Sequence, residues 1–432
     1  VPTSRRHLIA LDRGGGRGAF DHRRPADQTT VRRENLGIVL RHVAVRGACS
    51  RATIAAETGL TKATVSSIVG ELIELELLRE TGEDERPGRV GRPAQTLEIA
   101  GVAVSIGLEV NVDHLAVCAE DLSGRVRYER KVHVDNRRSA PGPVLSRLAR
   151  MARKAIEVVE AEGLQPVGIA CAVPGLVEVA TGTLLLAPNL GWSGIAVAEE
   201  LRARIGRLPV RVENEANLAA LAEHWRGGAR GLRSFICVFG EVGVGAGIFV
   251  DGELYRGVHG FGGEFGHVAV ERGGRRCGCG STGCLETLVG QEAIARAAGV
   301  TAAPGGRARS LTDELVRRAS EGDARVLRSL REAGSWLGLG LASVFNLFDL
   351  DAVVLGGCFG PLSPWIAGEV HQALSQRVLA AEWSSCAVLP SELGEGAAVR
   401  GAAALQLRAL LAAPWVVYEL RAAAGVSAGG RV

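Results

Sequence analysis

Residues 260–286 read Gly-Phe-Gly-Gly-Glu-Phe-Gly-His, a short spacer, then Cys-Gly-Cys-Gly-Ser-Thr-Gly-Cys-Leu-Glu. The thiols of Cys277, Cys279 and Cys284 and the imidazole of His267 make up the ligand set of a closed tetrahedral zinc site, which leaves no open position for chemistry and is therefore structural. Gly273, Gly274, Gly278, Gly280 and Gly283 fill the space between the ligands, with almost nothing apolar among them. Such a stretch has no core of its own and needs the metal to hold one shape. Glu264 and Glu286 flank the ligands. The folded loop would therefore carry two carboxylates and an imidazole to one place, a corner suited to polyol hydroxyls.

With 432 residues, 47% hydrophobic and 22% charged, the chain can build two or three domains with sizeable cores. No run approaches the ~18 to 20 apolar residues of a membrane span, and the Arg-rich N-terminus lacks a following apolar stretch, so a cytoplasmic protein with no membrane partner is expected. Nine cysteines, three of them in one loop and the rest scattered, fit a reducing compartment with a metal site better than a disulfide framework. The net charge of +3 is uneven. Residues 1–96 hold 16 Lys/Arg against 12 Asp/Glu, a net of +4, which leaves 34 against 35 for the remainder, a net of −1. A basic N-terminal module facing an acidic remainder is the asymmetry expected of a part that meets polyanions.

Residues 1–28 are rich in Gly and Arg and bury too little to order themselves, so a basic arm is expected there. From Val31 the spacing of Leu36, Val39, Leu40 and Val43 predicts a helix that ends before Gly47. Ser50 can cap a short helix over 51–58, Gly59 breaks it, and Thr61 can cap a longer one reaching about Glu76. Ala55, Gly59, Val65 and Ile68 let the two helices pack across a tight turn, and Lys62, Ala63, Thr64, Ser66 and Ser67 stay free to approach bases and phosphates. Arg51 and Thr61, at the helix starts, join the candidate DNA contacts. The stretch 79–96, ending Gly88-Arg89-Val90-Gly91-Arg92-Pro93, reads as a wing, with Arg89 and Arg92 candidates for a narrow minor groove. A winged helix-turn-helix over 29–97 is the result.

Beyond Gly101 the pattern turns to strands at 102–107, 114–119 and 126–134, then a helix at 144–162. Further strands at 167–173, 208–212, 235–239, 247–250 and 352–355 alternate with helical stretches, which by pattern alone is α/β. Here Gly-Glu-Phe-Gly-His followed by Cys-x-Cys-Gly-x-x-Gly-Cys-Leu-Glu resembles the core motif of the ROK family of repressors, open reading frames and sugar kinases. The N-terminal module with its Gly-Arg-Pro-Ala ending resembles that of the family's repressors. The resemblance implies a two-lobed actin-like ATPase (ribonuclease H-like) fold over 98–412, with its zinc loop at 264–286 and a tail at 413–432. It also implies zinc on His267, Cys277, Cys279 and Cys284, and Glu264, His267 and Glu286 facing sugar hydroxyls. Pro188-Asn189-Leu190-Gly191-Trp192 resembles the family's sugar loop, so Asn189, Asn214 and Glu215 complete the expected sugar contacts.

The ATP side departs from the family's kinases. Their first phosphate loop, Asp-x-Gly-Gly-Thr, is represented by Glu109-Val110-Asn111, and their second, Gly-Thr-Gly-x-Gly, by Glu241-Val242-Gly243-Val244-Gly245. The base position, the Asp of Glu-Asn-Asp-Ala-Asn, is Glu215, and a misplacement of about an ångström can cost on the order of 10²-fold in rate. The expectation is a sugar-responsive regulator, a repressor without catalysis. It would bind operator DNA as a homodimer or tetramer and sense a monosaccharide or sugar phosphate. The rival readings are an ATP-dependent sugar kinase with an accessory DNA-binding module, and a regulator controlled by a partner protein.

Overall fold

The computed structural model describes residues 28–83, 95–137, 139–301, 311–384 and 386–423. The expected basic arm up to residue 27 and the wing tip with Arg89 and Arg92 lie outside them. The N-terminal domain comprises α1 (Gln28–Arg46), β1 (Cys49–Ser50), α2 (Arg51–Thr58), α3 (Lys62–Glu74), β2 (Leu78–Glu83) and β3 (Gln95–Ile99), with a β1-β3-β2 sheet. Its helix boundaries follow local chemistry. Ser50 Oγ accepts the Thr53 N–H at 3.2 Å and Thr61 Oγ1 accepts the Thr64 N–H at 3.1 Å. Gly59 adopts φ 75°, ending α2 in the left-handed region that a side chain disfavours.

The first lobe contains β4 (Ala103–Val110), β5 (His114–Asp121), β6 (Val126–His133), α4 (Pro141–Ala161), β7 (Gln165–Val173), β8 (Leu176–Glu178), β9 (Thr183–Ala187), β10 (Trp192–Ile195), α5 (Val197–Ile205) and β11 (Val210–Asn214). Its main sheet runs β11-β7-β4-β5-β6, with β11, β7 and β4 parallel. β4 and β5 are buried at every position, including the polar Ser105, Glu109, His114, Glu120 and Asp121, so both faces of these strands are covered. α4 lays Val144, Leu148, Ala152, Ala155 and Val159 against that sheet.

The second lobe follows with α6 (Glu215–Arg226), β12 (Phe235–Gly240), β13 (Val244–Val250), β14 (Glu253–Tyr255), α7 (Glu286–Val289), α8 (Gln291–Ala298), α9 (Leu311–Ser320), α10 (Ala324–Phe348), β15 (Ala352–Gly357), α11 (Phe359–Arg377) and β16 (Ala387–Pro390). The strand order is β14-β13-β12-β15-β16. The strand expectations land within a few residues of β4 to β7, β11 to β13 and β15; β8 to β10, β14 and β16 were not anticipated. No single described helix is long and apolar enough to cross a membrane.

α12 (Ala397–Ala412) and α13 (Val416–Ala423) tie the parts together. A Cβ on Gly401 would fall 1.8 Å from Leu218 O of α6, and one on Gly107 of β4 would fall 2.1 Å from Val399 O, so both contacts require glycine. Further along, Leu407, Leu410 and Leu411 share one apolar cluster with Leu36, Val39 and Leu40 of α1, and Val417 of α13 joins them. Arg421 donates to Glu74 O and Leu75 O, each at 3.2 Å, and pairs with Glu76 at 2.6 Å. The expected tail at 413–432 thus contains a helix that clamps the N-terminal domain. Its guanidinium thus finds partners some 345 positions earlier in the chain, and a further one at Gln165 Oε1, 3.4 Å away.

Candidate functional site

The helix-turn-helix presents the face expected of it. Val65, Ile68, Val69 and Leu72 are buried, while Thr61, Lys62, Ser66 and Ser67 are exposed and Thr64 is half-buried. Arg51 differs from the other candidates, because its guanidinium is already paired with Glu80 of β2 at 2.6 Å. Arg32 of α1 was not anticipated. It reaches Glu71 at 2.6 Å and Ser67 Oγ at 3.4 Å, placing a cation beside the exposed face of α3. The helical spacing of α1 could have flagged it, since Arg32 lies four residues before Leu36 and so near the face that packs on α3.

All six expected sugar contacts, Asn189, Asn214, Glu215, Glu264, His267 and Glu286, line one cleft between the lobes. They are not equivalent. Asn214 is the N-cap of α6: its Oδ1 accepts from the N–H groups of Ala216 (2.8 Å) and Asn217 (3.2 Å), and its Nδ2 donates to Gly175 O at 3.0 Å. Its carboxamide is thus mostly committed to the fold, whereas that of Asn189 has no partner among the described residues. Asn217, missed at the sequence level, lines the same cleft with a buried Oδ1 that has no hydrogen-bond donor. Glu264 is open to solvent on one side. Burial among the cleft atoms, reduced by His267 and reinforced by Glu286, holds its carboxyl above the ordinary range. Glu286 turns one oxygen to the Val244 N–H at 3.3 Å and the other to within 4.0 Å of His267 Nδ1.

Behind this cleft the ligand atoms of His267, Cys277, Cys279 and Cys284 lie within 4.8 Å of one another. His267 Nδ1 is 3.6 Å from Cys277 Sγ, and Cys279 Sγ is 3.8 Å from Cys284 Sγ. A tetrahedral zinc with bonds of about 2.3 Å to sulfur and about 2.05 Å to nitrogen would set edges of about 3.8 Å between sulfurs and about 3.6 Å from sulfur to nitrogen. The four side chains fit such an ion. Since Nδ1 faces the sulfurs, Nε2 is the ring atom left for the cleft. The loop is shaped by Gly283 at φ 73°, where a Cβ would fall 1.9 Å from Glu271 O.

The ends of β4 and β12 meet at a cluster that sequence reasoning did not foresee. Asn111 Nδ2, in the first lobe, donates to Glu215 Oε2 at 3.3 Å and to Glu241 Oε2 of the second lobe. Fully buried Glu109 lies 3.3 Å from His114 Nε2, and His114 Nδ1 is 2.7 Å from Asp113. Burial opposes the charging of His114, but the hydrogen bond to Asp113 and the carboxylate of Glu109 beside it prevail and raise its pKa to about 10. Burial and the charge of Glu109 push Glu241 up to about 8, and burial with Glu241 beside it pushes Glu215 well above its ordinary value. Carboxyls so close disfavour one another's ionisation.

Residues 105–409 match the ROK family, and residues 37–89 match the MarR family. The xylose repressor of Bacillus subtilis is 29% identical over 377 residues, 87% of this chain and 95% of the repressor. A glucokinase of Streptomyces coelicolor is 31% identical over 318 residues, covering 70% of this chain and 98% of the kinase. The crystal structure of a ROK family transcriptional regulator, homologous to the Escherichia coli MLC protein, superposes with a TM-score of 0.75 at 28% identity, covering 90% of this chain and 99% of that one.

Proposed function

This chain belongs to the ROK family, and from that premise we propose that it is a cytoplasmic, sugar-responsive transcriptional repressor: the winged helix grips operator DNA and a monosaccharide in the interlobe cleft loosens that grip. The observation that carries the non-enzymatic half of this reading is the bridge from Asn111 to Glu215 and Glu241. In the family's kinases the two loops that these residues replace serve the phosphates of ATP. Here they carry side chains hydrogen-bonded to one another, with three carboxyls where backbone amides and a cation would be needed to receive an anion. The glucokinase relative speaks for the rival reading as a kinase. Against it stand Glu109, Asn111 and Glu241 together. Phosphoryl transfer is expected to be negligible, and a coupled assay over common hexoses, pentoses and amino sugars that found turnover in the ordinary range of about 1 to 10³ s⁻¹ would reverse the assignment.

We assign zinc to His267, Cys277, Cys279 and Cys284, where it would hold the Glu264 and Glu286 corner in shape. Asn189, Asn217, Glu215, Glu264, His267 and Glu286 then offer donors and acceptors to several hydroxyls. Asn214 acts chiefly by capping α6. The signal passes along a packed route. α6 begins at the cleft and touches α12 at Gly401, and the far end of α12 lies against α1 through Gly37, where a Cβ would fall 2.8 Å from Ala412 O. Lobe closure around sugar would move α6, and with it the seat of the DNA-binding domain. A homodimer supplies the second recognition helix, because half-sites are read about 34 to 36 Å apart and a small rotation spoils that spacing.

Gel shifts on the DNA upstream of the protein's own gene test the reading directly. Thr64→Ala and Arg92→Ala are each expected to weaken binding by about 1 to 3 kcal/mol, and the cognate sugar should release the wild-type protein. Absence of any specific site would defeat the proposal, and sugar that tightens binding would make the sugar a co-repressor.

A further inference from the structure

The sugar cleft is acidic, and no Lys or Arg is among the described residues that line it. On the other side of Glu213 lies a second pocket of about 290 Å³ with the opposite character. Arg202 of α5, Arg211 of β11 and Arg256, just beyond β14, all face it, and Leu405 of α12 forms part of its wall. Glu213, 1% exposed, is the pocket's one acid, and it is already committed. Its Oε2 accepts from Arg256 Nε at 2.8 Å, and its Oε1 accepts from the Asn214 N–H at 3.0 Å and from Asn217 Nδ2 at 3.1 Å. The side chains of Arg202 and Arg211 have no hydrogen-bond or ion-pair partner among the described residues. Three guanidiniums against one carboxylate leave the pocket a net +2 (3 − 1).

We propose that this pocket is a second effector site, which binds the phosphate group of a small phosphorylated metabolite through Arg202, Arg211 and Arg256. A guanidinium fork matches phosphate oxygens in pairs, and a dianion balances the pocket's charge. The volume admits a small ester but not a nucleic-acid strand. Arg202 and Arg211 belong to the first lobe and Arg256 to the second, so an anion held by all three would tie the lobes together from behind the sugar cleft. It would also compete for the guanidinium that Glu213 now holds at the start of α6. The repressor would then answer to two signals of different chemistry, a neutral sugar in one pocket and a phosphate ester in the other.

Calorimetry on the full-length protein, at matched ionic strength, with inorganic phosphate, glucose 6-phosphate and glucose as probes, tests this. Saturable binding of phosphate and glucose 6-phosphate is expected. Because hydrogen bonds to charged groups are lost, affinity for inorganic phosphate should fall by about 10- to 100-fold in Arg202→Ala and Arg211→Ala, whose exposed side chains leave the fold intact. Arg211→Lys, which keeps the charge but loses the fork, should lie between. Chloride that matches the phosphate response, or binding that survives the double Arg202→Ala/Arg211→Ala change, would overturn the proposal. Glucose 6-phosphate binding lost in Glu264→Ala alone would place the ester in the sugar cleft instead. DNA affinity that falls in the arginine variants with no small anion present would make this face a DNA contact. None of these outcomes depends on whether glucose binds, so the sugar reading stands or falls separately.

Discussion

Cys284→Ser is expected to lose the metal, a fall in Tm of about 10 °C, and measurable sugar binding. Cys284 is fully buried, its backbone bridges to Ala269, and its sulfur is one of four candidate ligand atoms, three sulfurs and a nitrogen, within 4.8 Å of one another. Serine offers a poorer ligand in the same space, and the loop that follows Gly273 has little else to hold it. Domains of this size lose roughly 2 to 4 °C per kcal/mol, so the fall corresponds to about 3 kcal/mol, well below the ~10 to 16 kcal/mol of an isolated zinc-finger peptide because the rest of the fold persists. Metal content and a melting curve decide it. One equivalent of zinc in the variant with unchanged melting and sugar affinity would remove the zinc assignment, while leaving the DNA-binding assignment in place.

Glu264→Ala is expected to produce a repressor that no longer answers sugar. The side chain lines the cleft but packs into neither α6 nor α12, so DNA affinity should stay within about twofold. Sugar affinity should drop by about 100-fold, since a carboxylate that holds two hydroxyls contributes about 1.5 to 3 kcal/mol in each hydrogen bond. In the wild type, sugar can weaken DNA binding only by its preference for the sugar-bound lobe arrangement, a coupling of about 1 to 3 kcal/mol, or about 5- to 150-fold. Fluorescence anisotropy of labelled operator, titrated with sugar, reads both numbers on one sample. Release of Glu264→Ala by the same sugar concentration as wild type would move the effector site out of the cleft.

The functions of single side chains were legible wherever their partners lie a few residues away. Ser50 with Thr53 and Thr61 with Thr64 could be read as caps because a cap bonds to a backbone N–H in the first turn, and Gly59 as a stop because its left-handed φ is local. The four candidate metal ligands were legible because three of them share one short loop. Asn214 was legible only as a sugar-motif residue; that it also caps α6 is seen in its hydrogen bonds.

Other assignments required the assembled chain. Asn111 meets Glu215 and Glu241 across separations of 104 and 130 residues, Arg51 is neutralised by Glu80, and Arg202, Arg211 and Arg256 converge on one pocket from both lobes. α13 reads as a tail until its docking site on α1 and α3 exists. The sequence alone determined the Cys/His cluster suited to a metal, the helix-turn-helix and the acidic corner, since each is set by short-range spacing and backbone preference. The bridge from Asn111 to Glu215 and Glu241, the packing of α12 between α6 and α1, and the basic pocket were decided only by the tertiary structure. They depend on strand order and register, which bring distant segments together through burial shared by the whole chain and leave no periodic mark on any one stretch of it.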